Sequence, residues 1–198
     1  MQDALDLPMV ECTSLLDLSK SDMEALGKRF PSYAASLADR VLSHLLVQKE
    51  SGRPGFRIDR YEHGLQTASR ALRDGRDEEY VVASLLHDIG DGICIYNHAD
   101  MAAVVMKPFV SEDIHWMIYN HEVFQGYYFN HHMGKDRNLR EQYKSHPLYA
   151  MTEEFCALYD SPAFDPAYKS EPLETFIPMV RRVFAKPRPE YKRRGVDY

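Results

Sequence analysis

The stretch DEEYVVASLLHDIGDG, Asp77 to Gly92, decides the fold. Its first turn is acidic, which suits a helix N-terminus. Val81, Val82, Leu85, Leu86 and Ile89 then recur at helical spacing, and Gly90 suits a C-terminal cap. The reading is a helix over Asp77–Ile89 that carries His87 and Asp88 at its end. Those two residues offer a nitrogen ligand and a carboxylate oxygen side by side. Consecutive helical residues point about 100° apart. One metal ion is therefore reached from both most easily at a frayed helix end, where Ile89–Gly90 places them.

The same periodicity extends in both directions. SDME, Ser21 to Glu24, fits a capping box that opens a short helix. Pro31 starts the next, whose stripe is Ala34, Leu37, Ala38, Val41, Leu42, Leu45 and Leu46, and SGRPG stops it. A third helix fits Asp59–Arg73, with Tyr61, Leu65, Ala68 and Leu72 on one side. A fifth fits His98–Lys107, ended by Pro108. Ser111 caps a sixth, in which Ile114, Met117, Ile118 and His121 fall at i, i+3, i+4 and i+7. The segment Phe124–Arg140 reads as a loop rich in aromatic, histidine and basic residues. A seventh helix fits Pro147–Tyr159, and an eighth begins near Pro172 with Pro178 as a point of kinking. No alternating strand and no repeat interrupts this pattern. The expectation is an all-α helical bundle forming one domain over 1–198. It would have N-terminal helices in 1–52, a metal-binding core in 53–165, and a C-terminal helix and tail in 166–198.

Composition narrows the function classes. A net charge of −6 argues against wholesale nucleic-acid binding. The basic tail KPRPEYKRRGVDY reads as a solvated terminus. Cys12, Cys94 and Cys156 are scattered and odd in number, which argues for a reducing compartment rather than a disulfide framework. No apolar run approaches the ~20 residues that cross a bilayer. The first residues are acidic where a signal peptide is basic. The expectation is a cytoplasmic protein with a small-molecule substrate and neither a nucleic-acid nor a membrane partner.

The ligand types recur along the chain as His63, His87–Asp88, His98, His121 and Asp160. His121, on an apolar stripe, is either a hydrogen-bonded core residue or a ligand. The order, with YEHGLQTA around His63 and ASLLHDIGD around His87, resembles the HD-domain superfamily over roughly Arg57 to Asp160. The two extra histidines resemble its two-metal members. The resemblance implies one ion on His63, His87, Asp88 and Asp160. It implies a second on His98 and His121 with Asp88 as the bridge, so that Asp88, His98 and His121 stand at the reacting centre. In ALYDSPAFDP the late carboxylate is either Asp160 or Asp165. Asp160 follows Leu158–Tyr159 as in the superfamily, whereas Asp165 before Pro166 suits a turn.

Two chemistries follow from the resemblance. One is metal-dependent phosphohydrolysis of a small phosphate ester or nucleotide. The other is oxygenation at an Fe(II)/Fe(III) pair with O₂ as co-substrate, as in the branch that holds myo-inositol oxygenase and the organophosphonate-cleaving oxygenases. Chain length, ligand order and HEVFQGYYFNHHMGKDR favour the second. The implied reaction is oxidative C–P cleavage of a 1-hydroxyphosphonate, with (1-hydroxy-2-(trimethylammonio)ethyl)phosphonate giving glycine betaine and phosphate. For such a substrate, Phe124, Tyr127, Tyr128 and Phe129 offer aromatic faces, and Asp91 either meets the cation or serves as a cap. Arg70, Gln125, His131, His132, Lys135 and Arg137 are candidates for the phosphonate. Aminophosphonate-cleaving members carry a Tyr and a Glu upstream of the first histidine. Tyr61 and Glu62 lie too close to His63 to match them, and Tyr33 is a remote candidate.

Overall fold

The computed structural model describes residues 9–49 and 55–191. Most of SGRPG and the end of the basic tail lie outside them. Among the described residues there is no strand. Eight α-helices follow in chain order: α1 Lys20–Ala35, α2 Leu37–Val47, α3 Arg60–Arg73, α4 Glu78–Leu86, α5 His98–Met106, α6 Glu112–Phe129, α7 Tyr149–Glu154 and α8 Leu173–Val183. Short 3₁₀ turns cover Asn130–Met133 and Arg137–Tyr143, and a π-helical segment, Phe155–Asp160, continues α7. No described helix is long and apolar enough to cross a membrane.

The all-α expectation holds, and several boundaries move. The first capping box joins Ser19 to Asp22, because Ser19 has the extended backbone a cap requires. Pro31 does not open a helix but lies inside α1. Its missing N–H would have faced exposed Gly27, whose carbonyl water can serve. The chain breaks at Ser36 instead. α1 buries none of its residues, while α2 buries Ala38, Val41, Leu42 and Leu45.

One hydrophobic core runs from Ala38 to Phe184. α4 is its centre: Tyr80 through Leu86 are all buried, so the helix is packed on every side. α3 crosses α4 at Gly64, where an added Cβ would stand 2.7 Å from the Leu85 carbonyl oxygen. Only glycine permits that approach, and it sets His63 on α3 against His87 at the end of α4.

α4 stops at Leu86 rather than Ile89, and His87 is its C-cap residue. Gly90 is not a left-handed cap; the described positive-φ glycines are Gly55, Gly75 and Gly134. Gly90 is required because α5 passes close by: a Cβ there would lie 2.7 Å from the His98 carbonyl oxygen and 2.9 Å from Met101 Cβ. The early stop leaves carbonyls beyond α4 in need of donors. α2 supplies them. Gln48 Nε2 donates to the Asp88 carbonyl at 2.6 Å, and His44 Nε2 to the Ile89 carbonyl at 3.1 Å. Gln48 is buried, and Gln48→Leu removes its hydrogen bond while the Asp88 carbonyl keeps that from Asp91 N at 2.9 Å. The expected loss is about 0.5–1.5 kcal/mol of stability, read from denaturant midpoints.

The segment expected as a loop from Phe124 is mostly helical. α6 continues to Phe129 and turns continue to Tyr143. Its aromatic residues pack on both sides of the helix, which erases a clean stripe.

Candidate metal centre

His63 from α3, His87 and Asp88 from the end of α4, His98 from the start of α5, His121 from α6 and Asp160 from the π-helical segment converge at one place. His63 Nε2 lies 3.1 Å from His87 Nε2 and 3.2 Å from Asp160 Oδ1, and His87 Nε2 lies 3.5 Å from the same oxygen. Asp88 stands between two groups. Its Oδ1 is 3.2 Å from His98 Nε2, 3.3 Å from His121 Nε2 and 3.7 Å from His87 Nε2, and its Oδ2 is 3.5 Å from His63 Nε2. All but His98 are essentially buried. The donor atoms form two tight sets, His63–His87–Asp160 and His87–Asp88–His121.

Hydrogen bonding on the far side of each ring identifies what these nitrogens present. His63 Nδ1 faces the Ala163 carbonyl at 2.9 Å, His87 Nδ1 that of Ser84 at 2.9 Å, and His121 Nδ1 that of Ile118 at 2.6 Å. A carbonyl only accepts, so each Nδ1 carries a proton, and a ring with no second proton offers its Nε2 lone pair to the centre. His63 Nε2 and His87 Nε2 then face each other 3.1 Å apart with no hydrogen between them. Two carboxylates share the same space. Burial works to raise the Asp88 carboxyl, but positive charge beside it, carried by His87 foremost when no ion is bound, and hydrogen bonds from His121 and His98 hold it well below the usual carboxylate range. At Asp160 burial is overridden in the same way by His63 and His87. Facing lone pairs and buried anions are mutually repulsive without a cation, and a metal ion supplies one. The residues therefore fit one or two bound ions of the His/carboxylate-binding class.

The outer partners complete the design. Gln125 Nε2 straddles Asp160, 2.9 and 3.0 Å from its two oxygens. Arg60 Nη1 donates to Asp88 Oδ2 at 3.1 Å, and its Nε pairs with Asp91 Oδ2 at 3.2 Å. His98 differs from the other histidines: its buried Nδ1 has no partner among the described residues. Gln125→Ala should weaken retention of the Asp160-side metal by about 10–100-fold, measured by competition with a chelator.

Beside the centre lies a cavity of about 360 Å³ lined by Phe56, Arg60, Gln125, Tyr128, Phe129, Ser161 and Phe164. Phe164 stacks on His63 and on Phe56, with centroids 4.2 Å apart in each pair. The lining thus combines aromatic faces, one of them stacked on His63, with the polar side chains of Arg60, Gln125 and Ser161.

The six expected ligands meet, and Asp160 rather than Asp165 does so; the Asp165 carboxylate accepts from Ala167 N in a turn. The expected substrate contacts fare differently. Gln125, Tyr128 and Phe129 line the cavity. Asp91 is paired with Arg60, so its charge is already met. Arg70 donates to the Pro162 carbonyl at 3.0 Å and fixes the segment after Asp160. Tyr127 packs against Arg137 and Arg140, whose guanidinium carbons lie 4.0 and 3.6 Å from its ring centroid. Phe124 is buried against Trp116, Tyr143 and Tyr149. His131, His132 and Lys135 are exposed and outside the cavity lining. Upstream, Tyr33 is exposed beside Arg40, Tyr61 faces Lys49, and Glu62 accepts from Ser170, so none reaches the metal ligands by these contacts.

Arg60, Phe56, Ser161 and Phe164 were not anticipated. Arg60 carried a signal: it sits three residues before His63, on the same helix face. Ser161 and Phe164 carried none, since they return to α3 from about a hundred residues away. No family profile matches the chain, and no curated protein is significantly similar to it.

Proposed function

We propose that this chain is an O₂-dependent oxygenase that holds two iron ions and cleaves the C–P bond of a small 1-hydroxyphosphonate. The observation that carries the reading is the pair of donor sets that share His87, with Asp88 reaching toward both and three Nε2 atoms aimed at the same space. Iron bound there would supply the redox chemistry and a Lewis-acidic position for oxygen-bearing ligands. The metals would rest on His63, His87, Asp88, His98, His121 and Asp160. The chain's own residues do the rest. The backbone carbonyls of Ala163, Ser84 and Ile118 hold three rings in the binding tautomer, and Gln125 and Arg60 orient the two carboxylates. Phe56, Tyr128, Phe129 and Phe164 offer ring faces to a quaternary ammonium.

The test is O₂ uptake with phosphate release by the iron-reconstituted protein. The panel is 1-hydroxyphosphonates bearing N(CH₃)₃⁺, NH₃⁺ and neutral tails. Stoichiometric consumption of O₂ and release of phosphate is expected, greatest for the trimethylammonium tail. Mn-dependent release of phosphate from esters without O₂ consumption would overturn the oxygenase reading in favour of hydrolysis.

A further inference from the structure

Ser161 directly follows the ligand Asp160 and lines the cavity, with its Oγ buried and without a hydrogen-bond partner among the described residues. A buried hydroxyl left unpaired costs roughly 1–3 kcal/mol. Ser161 lines the cavity through its other atoms, and a rotation about χ1 is what would let its hydroxyl pair with an occupant.

The backbone explains how Ser161 comes to lie there. Ser161 N donates to the Cys156 carbonyl at 2.9 Å, the i→i+5 bond of a π turn. A π turn is wider than an α turn, so adjacent residues diverge less around its axis. Asp160 and Ser161 can then serve the two neighbouring spaces, the metal centre and the cavity. π segments of this kind recur at functional sites.

The polar residues give the cavity a definite character. Arg60 lines it as a cation, and its Nε–H lacks an aligned hydrogen-bond acceptor although Asp91 is near in space. Gln125 lines it too, with its amide N–H₂ committed to Asp160. Two bound divalent or higher-valent ions would outweigh the charges of Asp88, Asp91 and Asp160. With them in place the cavity would be electropositive beside its aromatic lining, and the Ser161 hydroxyl is the donor there not already committed to another side chain. An anionic oxygen group would pair with the hydroxyl and the positive charge, and an apolar or cationic tail with the aromatic faces.

We infer that Ser161 and Arg60 form the subsite for the substrate's anionic oxygens, with the Ser161 hydroxyl donating to one of them. Ser161 is then a specificity-determining residue: it selects a tetrahedral oxyanion over a neutral head. The inference rests on the substrate class proposed above but requires no turnover.

The test uses the metal-loaded protein and methylphosphonate, with binding measured by calorimetry and metal content measured in parallel. Wild type should bind methylphosphonate. Ser161→Ala should keep its metals and bind at least ~10-fold more weakly, the loss of one hydrogen bond to a charged group. Ser161→Thr, which restores the hydroxyl, should recover most of the affinity. Two results overturn the inference: no methylphosphonate binding by the metal-loaded wild type, or unchanged affinity in Ser161→Ala. Either can occur while the O₂ assay succeeds, and a failed O₂ assay leaves the binding comparison intact, so the two readings fail separately.

Discussion

Asp88→Ala should strip the centre of both metal ions, with activity falling further than the 10–100-fold typical of losing an outer partner. Asp88 reaches both sides of the site through its two oxygens, with Oδ1 toward His87, His98 and His121 and Oδ2 toward His63. His98→Ala removes one donor from one side only, and its ring is not fixed from behind. It should therefore lower the metal content by one ion per chain. Elemental analysis after gel filtration distinguishes the two variants. An Asp88→Ala protein that still carries two ions would show that Asp88 does not bridge them. Chelation of the wild type should also lower its melting temperature. An ion present at 1,000 times its Kd contributes about 4 kcal/mol, and a chain of this size loses roughly 2–4 °C per kcal/mol.

Gly64→Ala should destabilise the protein even though alanine is the better helix former by about 1 kcal/mol. The new methyl group meets the Leu85 carbonyl oxygen at 2.7 Å, and a backbone oxygen inside buried α4 cannot turn away. Forced separation of α3 and α4 should cost more than the ~1–3 kcal/mol usual for overpacking a core. Because His63 and His87 face each other across that contact, metal retention should fall together with the melting temperature. A variant as stable as wild type would mean that the helices can part freely.

Much of this site is readable in the residues because it depends on periodicity. His121 is marked by its place on the Ile114–Met117–Ile118 stripe, and His87–Asp88 by their position past an apolar helix. Helix faces alone do not tell what approaches them. Arg70 lies on the face of His63, as its spacing implies, yet it meets the Pro162 carbonyl because the segment after Asp160 folds back there. Asp91 looked free until Arg60 was found within reach of both aspartates. Tyr127 looked available because α6 was expected to end sooner, whereas the helix carries it against Arg137 and Arg140. Gly90 was correctly singled out for the wrong reason: its backbone is ordinary, and the passing of α5 demands its small size.

Gln125 lines the cavity and also grips both oxygens of Asp160 with its amide nitrogen. An occupant that draws on the amide's carbonyl end pulls at the same rigid plane that steadies the carboxylate. Were an ion bound on the Asp160 side, occupancy of the cavity would be registered there, and the ion's spectrum would report whether the neighbouring chamber is full.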